Sequence, residues 1–247
     1  MTNRFALIAA LAVGLAGPLQ AGETEIAASI ADKDRSAENR ALDEGRQPGA
    51  ILAFADFQAG ETVADFMAGS GYYSELIARI VGKKGQVYAV EPDVFYDPAK
   101  WEVLRENHHN VSVMPVTPKA MQLAPNSVDA LFTHMTFHDL YWESEQYRFP
   151  RLDENFILRN WFAAVKPGGK VIVVDHVGPA GEPRDVVEKL HRIDPAHVIK
   201  KMAEVGFVLE GRSDALHMAG DDHSKNVFDP AIKGKTDRFA LKFRKPE

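Results

Sequence analysis

Residues 62–91 predict an α/β domain on a parallel sheet, and three observations within that stretch carry the prediction. Residues 62–66 (TVADF) are a short, largely apolar run, the kind a strand needs when both its faces are covered. Ala68-Gly69-Ser70-Gly71 follows, where glycine lets the backbone turn sharply beside a ligand with no Cβ atom in the way. From Tyr72 the period becomes helical: Tyr73, Leu76, Ile77, Ile80 and Val81 share a face, and Gly82 with Gly85 stops the helix before residues 86–90 resume as strand. Glu91 then ends the second strand, where an acid can accept hydrogen bonds from a ribose diol.

The remaining elements follow in order along the chain. Asn3-Arg4, an apolar run over residues 5–15 and Leu19-Gln20-Ala21 have the charged start, apolar core and small-residue end of a secretory signal, so residues 1–21 are expected to be removed. That run is too short for a convincing membrane span, and no stable span is expected after cleavage. Residues 22–47 are polar with loosely spaced apolar positions, which predicts an arm of one or two surface helices. Residues 48–247 form the main domain. Pro48 opens a helix whose apolar face is Ile51, Leu52, Phe54 and Phe57. A loop and helix over 93–107 and a third strand over 111–116 come next. Residues 151–165 read as a helix with Phe156, Ile157, Asn160, Trp161 and Ala164 inward. A short helix is expected around 186–190, and another over 195–205, capped by Asp194. Residues 211–235 are a long polar stretch, which in a compact domain covers a site or is mobile.

The chain has 247 residues, 45% of them hydrophobic, and this length fits one α/β domain with an N-terminal extension. Its net charge of −6, with no basic run and no interleaving of basic and aromatic residues, speaks against nucleic acid as a partner. With no cysteine there is no disulfide, thiolate metal site or cysteine nucleophile. The oligomeric state is not legible.

A glycine turn alone could be nothing more than a tight strand-to-helix connection. Asp65 in the first strand and an acid about twenty residues past the last glycine favour a nucleoside site. A dinucleotide pyrophosphate calls for a third glycine where Ser74 stands, so the turn fits a ligand without phosphate. Here the chain resembles the class I S-adenosylmethionine-dependent methyltransferases, whose first motif, D-x-G-x-G-x-G, is matched by Asp65-Phe66-Met67-Ala68-Gly69-Ser70-Gly71, with Met67 in place of the first glycine. Residues 126–132 look like the family's fourth strand, 165–175 like its helix end, turn and fifth strand, 203–207 like the turn before the sixth, and 238–243 like the seventh. The resemblance implies a Rossmann-like three-layer sandwich with a seven-stranded, mostly parallel sheet, an antiparallel last strand and the order three-two-one-four-five-seven-six. It also implies S-adenosylmethionine as cofactor, held by Asp65, Gly69, Ser70, Gly71 and Glu91, with Thr117 where many members carry an adenine-binding Asp, and methyl transfer to a small or medium-sized acceptor. Asp34-Arg35-Ser36 and Arg46-Gln47-Pro48 are similar to strings in exported bacterial methyltransferase-like proteins, placing the chain in the periplasm or outside the cell. Met67, Thr117 and export leave open a non-catalytic ligand-binding or scaffold protein on the same fold.

Ligands of open α/β sheets bind beyond the carboxyl ends of the strands, so the loops after Phe132 and Val174 are where chemistry is expected. The first crowds His134, His138, Asp139, Phe137, Tyr141 and Trp142 together. An imidazole can take a proton from an attacking hydroxyl or amine while a carboxylate orients it, which makes His134, His138 and Asp139 the candidate catalytic residues. Alternatively, His138 and Asp139 anchor the loop and the aromatics are core. His134, Asp175 and His176 could be a transition-metal set, but neighbours on an extended strand point opposite ways, and no metal is expected. His217, Asp221, Asp222 and His223 read as a solvated loop or a lid, and His108-His109 as a helix end without chemistry.

Overall fold

The structure, a computed structural model, describes residues 21–247; the signal-like segment, apart from Ala21, lies outside the described residues. Seven strands form one sheet: β1 (Thr62–Phe66), β2 (Gln86–Pro92), β3 (Val111–Val116), β4 (Val128–His134), β5 (Val165–His176), β6 (Val208–Ser213) and β7 (Arg238–Arg244). Their order is β3-β2-β1-β4-β5-β7-β6, as expected. The β3, β2, β1, β4 and β5 neighbours pair in parallel, and β7 runs antiparallel to both β5 and β6.

Neighbouring residues of one strand serve opposite faces, which makes three layers. In β4, Leu131 packs with Trp161 and Val173 under α7 (Glu154–Ala164), α8 (Pro183–Leu190) and α9 (Pro195–Glu204). Phe132 packs with Tyr73, Ile77 and Val174 under α4 (Pro48–Ala55), α5 (Tyr72–Val81) and α6 (Pro98–Asn107). Both faces of the central strands are dry, which explains why they read as apolar runs rather than alternating patterns.

The arm departs from expectation. It comprises α1 (Ala21–Ile30), α2 (Ala37–Ala41) and α3 (Asp43–Arg46), three helices rather than one or two; they lie on the surface, but α1 packs against α4 and α5 and a few side chains are buried. Arg35 is buried and bonds Asp43 at 2.8 Å and Glu75 of α5 at 2.7 Å, while the Ser29 hydroxyl donates to the Leu76 carbonyl. Charged residues can be buried when each charge meets its opposite, and the composition of the arm alone hides that pairing.

Two further details differ. α7 begins at Glu154, with the Asp153 carboxylate capping the Phe156 N–H at 2.9 Å; Leu158 takes a core position, while Phe156, expected inward, is 39% exposed. The stretch after β6 is a largely exposed loop, as one reading expected, but it is pinned at a few points. Asp221 is buried against Arg192, and Asp237 accepts from His217, His223 and the Met218 N–H, so the loop is bound to the end of β7.

Candidate active site

The glycine turn leaves β1 with Met67, Gly69 and Gly71 all at positive φ, +55°, +62° and +80°. A Cβ on Gly71 would lie 2.5 Å from Leu104 Cδ1 and 2.9 Å from the Trp101 ring, so packing against α6 as well as backbone geometry requires glycine there. At Gly69 nothing lies within 4 Å of such a Cβ, and the open space is where a ligand would sit. Met67 holds a left-handed conformation without being glycine, and its buried side chain joins the core below the turn.

Asp65 is buried and accepts the Ser74 hydroxyl at 2.6 Å; burial pushes its carboxyl up to about 6, against the Ser74 bond and the charge of Arg46. Ser74, at the would-be third glycine, thus holds the acid of β1 in place. Glu91 Oε2 accepts the Gly69 N–H at 2.7 Å, and burial pushes its carboxyl up to about 8. Oε2 is therefore tied to the turn, and Oε1 has no hydrogen-bond partner among the described residues.

A cavity of about 220 Å³ opens over the turn at the carboxyl ends of β1 and β4. Asp65, Gly69, Ser70 and His134 line it, together with Arg46, Tyr72, Tyr73 and Met135. Gly71, Glu91 and Thr117 lie outside its lining; Thr117 is an exposed residue just past β3. Arg46 was visible in the sequence only through its short string before Pro48, because nothing local says that the arm folds back to the end of β1. Its guanidinium sits over the Tyr72 ring at 4.3 Å.

His134 ends β4 with its ring 4.7 Å from that of Tyr73 and its Nε2 buried without a hydrogen-bond partner. Burial, and then the nearby Arg46 and Arg238 charges, hold it well below the usual histidine range, so the ring is neutral at pH 7. His138 sits differently. In the 3-10 turn His138–Tyr141, its Nδ1 meets Asp175 Oδ1 at 2.8 Å, its backbone N–H donates to Asp175 Oδ2 at 2.8 Å, and Asp139 lies 3.4 Å from Nε2. Burial opposes its charge, but Asp175 and Asp139 outweigh burial and raise it to about 9. The ring is thus protonated at neutral pH and cannot accept a proton, and Asp175, more than Asp139, orients it. Neither His138 nor Asp139 lines the cavity. The anchor alternative describes this pair better than a catalytic one.

Asp175 and His176 point apart, as an extended strand requires: Asp175 faces His138, while His176 Nδ1 bonds the Thr236 hydroxyl at 2.8 Å. No group of three or more His, Asp or Glu is placed to hold a metal ion among the described residues. His176 lines a second cavity of about 660 Å³ that shares Arg46 and Met135 with the first. Arm residues 41–47 and loop residues 215–236 form most of its walls.

Sheet order, glycine turn and a cavity at the switch between β1 and β4 define the class I S-adenosylmethionine-dependent methyltransferase fold. Within it, residues 64–173 match the family model described as a methyltransferase domain. The ubiquinone/menaquinone biosynthesis C-methyltransferase UbiE of Haemophilus ducreyi is 24% identical over 163 residues, covering 65% of this chain and 56% of that protein. The chain spans about half the length of the curated relatives it matches. Among solved structures, a SAM-dependent methyltransferase from Aquifex aeolicus superposes with a TM-score of 0.57 at 20% identity, covering 90% of this chain and 97% of that one. The arsenic(III) S-adenosylmethionine methyltransferase CrArsM of Chlamydomonas reinhardtii gives 0.55 at 17%, covering 90% and 73%.

S-adenosylmethionine is the cofactor this fold implies, and the residues lining the cavity fit its amino-acid end. Asp65 and Arg46 offer opposite charges to a zwitterionic amino-acid end, Gly69 leaves space, and the Tyr72 and Tyr73 rings flank the cavity.

Proposed function

We propose that the protein transfers a methyl group from S-adenosylmethionine to a small or medium-sized acceptor, and that it does so after export to the periplasm or beyond. One observation carries the first part: the cavity over the glycine turn is lined by Asp65, Gly69, Ser70 and His134, and it shares the lining residues Arg46 and Met135 with a second, larger cavity. When bound, the cofactor supplies an electrophilic methyl group on a sulfonium, which leaves as a neutral thioether once the acceptor atom has taken the methyl. The work left to this chain is mainly positioning. Asp65 and Arg46 bind opposite charges, Gly69 and Ser70 admit the ligand, and the His138–Asp175 pair fixes the loop after β4 to β5. His134, neutral and lining the donor cavity, is the imidazole we assign to take a proton from an acceptor that must lose one, and burial with two nearby arginines makes it a weak base. Of the three candidates His134, His138 and Asp139, it is the one that lines this cavity.

Export rests on the charged start, apolar run and small-residue end of residues 1–21. A reporter fused after Gly22 should reach the periplasm of a Gram-negative host; retention of full-length product in the cytoplasm would refute export.

A specific observation favours a second reading, a binding protein without transfer activity: Glu91 is buried and bonded to the turn, and Met67 stands at a glycine position. Calorimetry of the full chain with S-adenosylmethionine and with its demethylated product separates the two. Binding of both supports the enzyme, and binding of neither removes it.

A further inference from the structure

Several basic side chains withdrawn from solvent have carboxylate partners. Arg35 pairs with Asp43 and Glu75, Arg192 with Asp221, Arg184 with Glu154 and Lys170 with Glu61. Arg46 and Arg238 form no ion pair among the described residues, and both line the larger cavity. Arg46 also faces the donor cavity, where the cofactor's own carboxylate can meet it. Arg238 has no such prospect. It is only 7% exposed, and its Nε and Nη2 donate to the carbonyls of Thr236 at 3.2 Å and Gly45 at 2.6 Å. Carbonyls solvate a guanidinium but do not neutralise it, and a buried uncompensated charge is costly. The next acid along, Asp237, gives its oxygens to His217, His223 and the Met218 N–H. Lys233 and Lys235 on the same wall add to the positive field, against the single acid Glu44.

Apolar side chains make up another part of the wall. Leu42, Met218 and Phe228 line the cavity while remaining 38%, 39% and 60% exposed, so they present apolar surface that a bound molecule would cover. A volume near 660 Å³ lies within the roughly 300–1,000 Å³ range of small-molecule sites.

We propose that this cavity receives the acceptor, and that the acceptor is a small molecule with an apolar body and one carboxylate, the carboxylate paired with Arg238. The proposal rests on the methyl-transfer reading for the word acceptor, but not for the ligand class. The test is calorimetry of the full chain with decanoate, decanol and decylamine. Decanoate should bind at least about tenfold more tightly than decanol, as a charge-assisted hydrogen bond implies, and decylamine should not bind. Arg238→Gln should bring decanoate down to the level of decanol. Should that variant not fold, the Lys233→Gln, Lys235→Gln double variant, which alters exposed side chains only, should weaken decanoate up to about fivefold and leave decanol unchanged. Equal affinity for all three probes, tighter binding of decanol, or no binding of decanoate overturns the proposal. S-adenosylmethionine titrated into the parent protein tests methyl transfer separately: decanoate binding without cofactor binding upholds the ligand class and removes the enzyme reading, and the reverse removes the ligand class alone.

Discussion

At the scale of single residues, the charges around a buried ring decide which histidine can act. His134 and His138 lie four positions apart in one segment, yet one is neutral and the other charged at pH 7, because His138 faces two carboxylates and His134 faces two arginines. On an acceptor whose nucleophile carries a proton, His134→Ala should lower turnover by about a hundredfold to ten-thousandfold, the usual contribution of a general base. Steady-state rates at saturating cofactor would show it, and parent-like turnover would exclude His134 as the base. Glu91 makes a separate prediction. Its carboxyl is raised from 4.5 to about 8, so the folded protein holds this proton more tightly than the unfolded chain does. The stability it contributes is full below pH 4.5 and is lost as pH rises to 8. The melting temperature of Glu91→Gln relative to the parent should therefore climb from pH 5 to pH 8 and then level off. A difference that stays flat across that window would mean that Glu91 is ionised throughout.

At the scale of elements, the turn and the arm carry opposing costs that magnitudes can rank. The left-handed backbone at Met67 costs about 1–2 kcal/mol for a non-glycine residue, so glycine would relieve strain there. The same substitution removes a buried side chain from the core, which costs about 2–5 kcal/mol. At mid-range values loss of packing wins, and Met67→Gly should destabilise the protein by about 2 kcal/mol, within a span of about 0–4 kcal/mol, in chemical denaturation even though it restores the family's glycine. The arm is held by Arg35, whose removal leaves Glu75 buried without its partner. Arg35→Ala should cost about 3–5 kcal/mol, the range for breaking a buried pair from one side. Because arm residues 41–47 wall the larger cavity, a loosened arm should also weaken ligand binding there, which titration at a temperature below melting would detect.

At the scale of the whole molecule, most of the architecture was legible because the signals for it are local. Strand runs, the helical period after Tyr72 and glycine stops fall within a few residues of one another, and the strand order followed from the resemblance. Asp65, Gly69, Ser70 and His134 were legible for the same reason: each sits at or beside a strand end. What escaped the sequence depends on contacts between distant segments. Arg46 reaches the end of β1 only because the arm folds back, and Asp175 orients His138 across 37 positions of sequence. Asp221 is buried only because Arg192 meets it, although its neighbours read as solvated loop. The central claim is that the donor occupies the cavity over the glycine turn, and Gly69 tests it most directly, since a side chain there would point into open space. Titration of S-adenosylmethionine into Gly69→Val beside the parent, at matched melting temperature, should show binding to the parent and a loss of at least about a hundredfold in the variant, a difference of about 2.7 kcal/mol. Equal binding to both proteins would place the donor elsewhere and contradict the account.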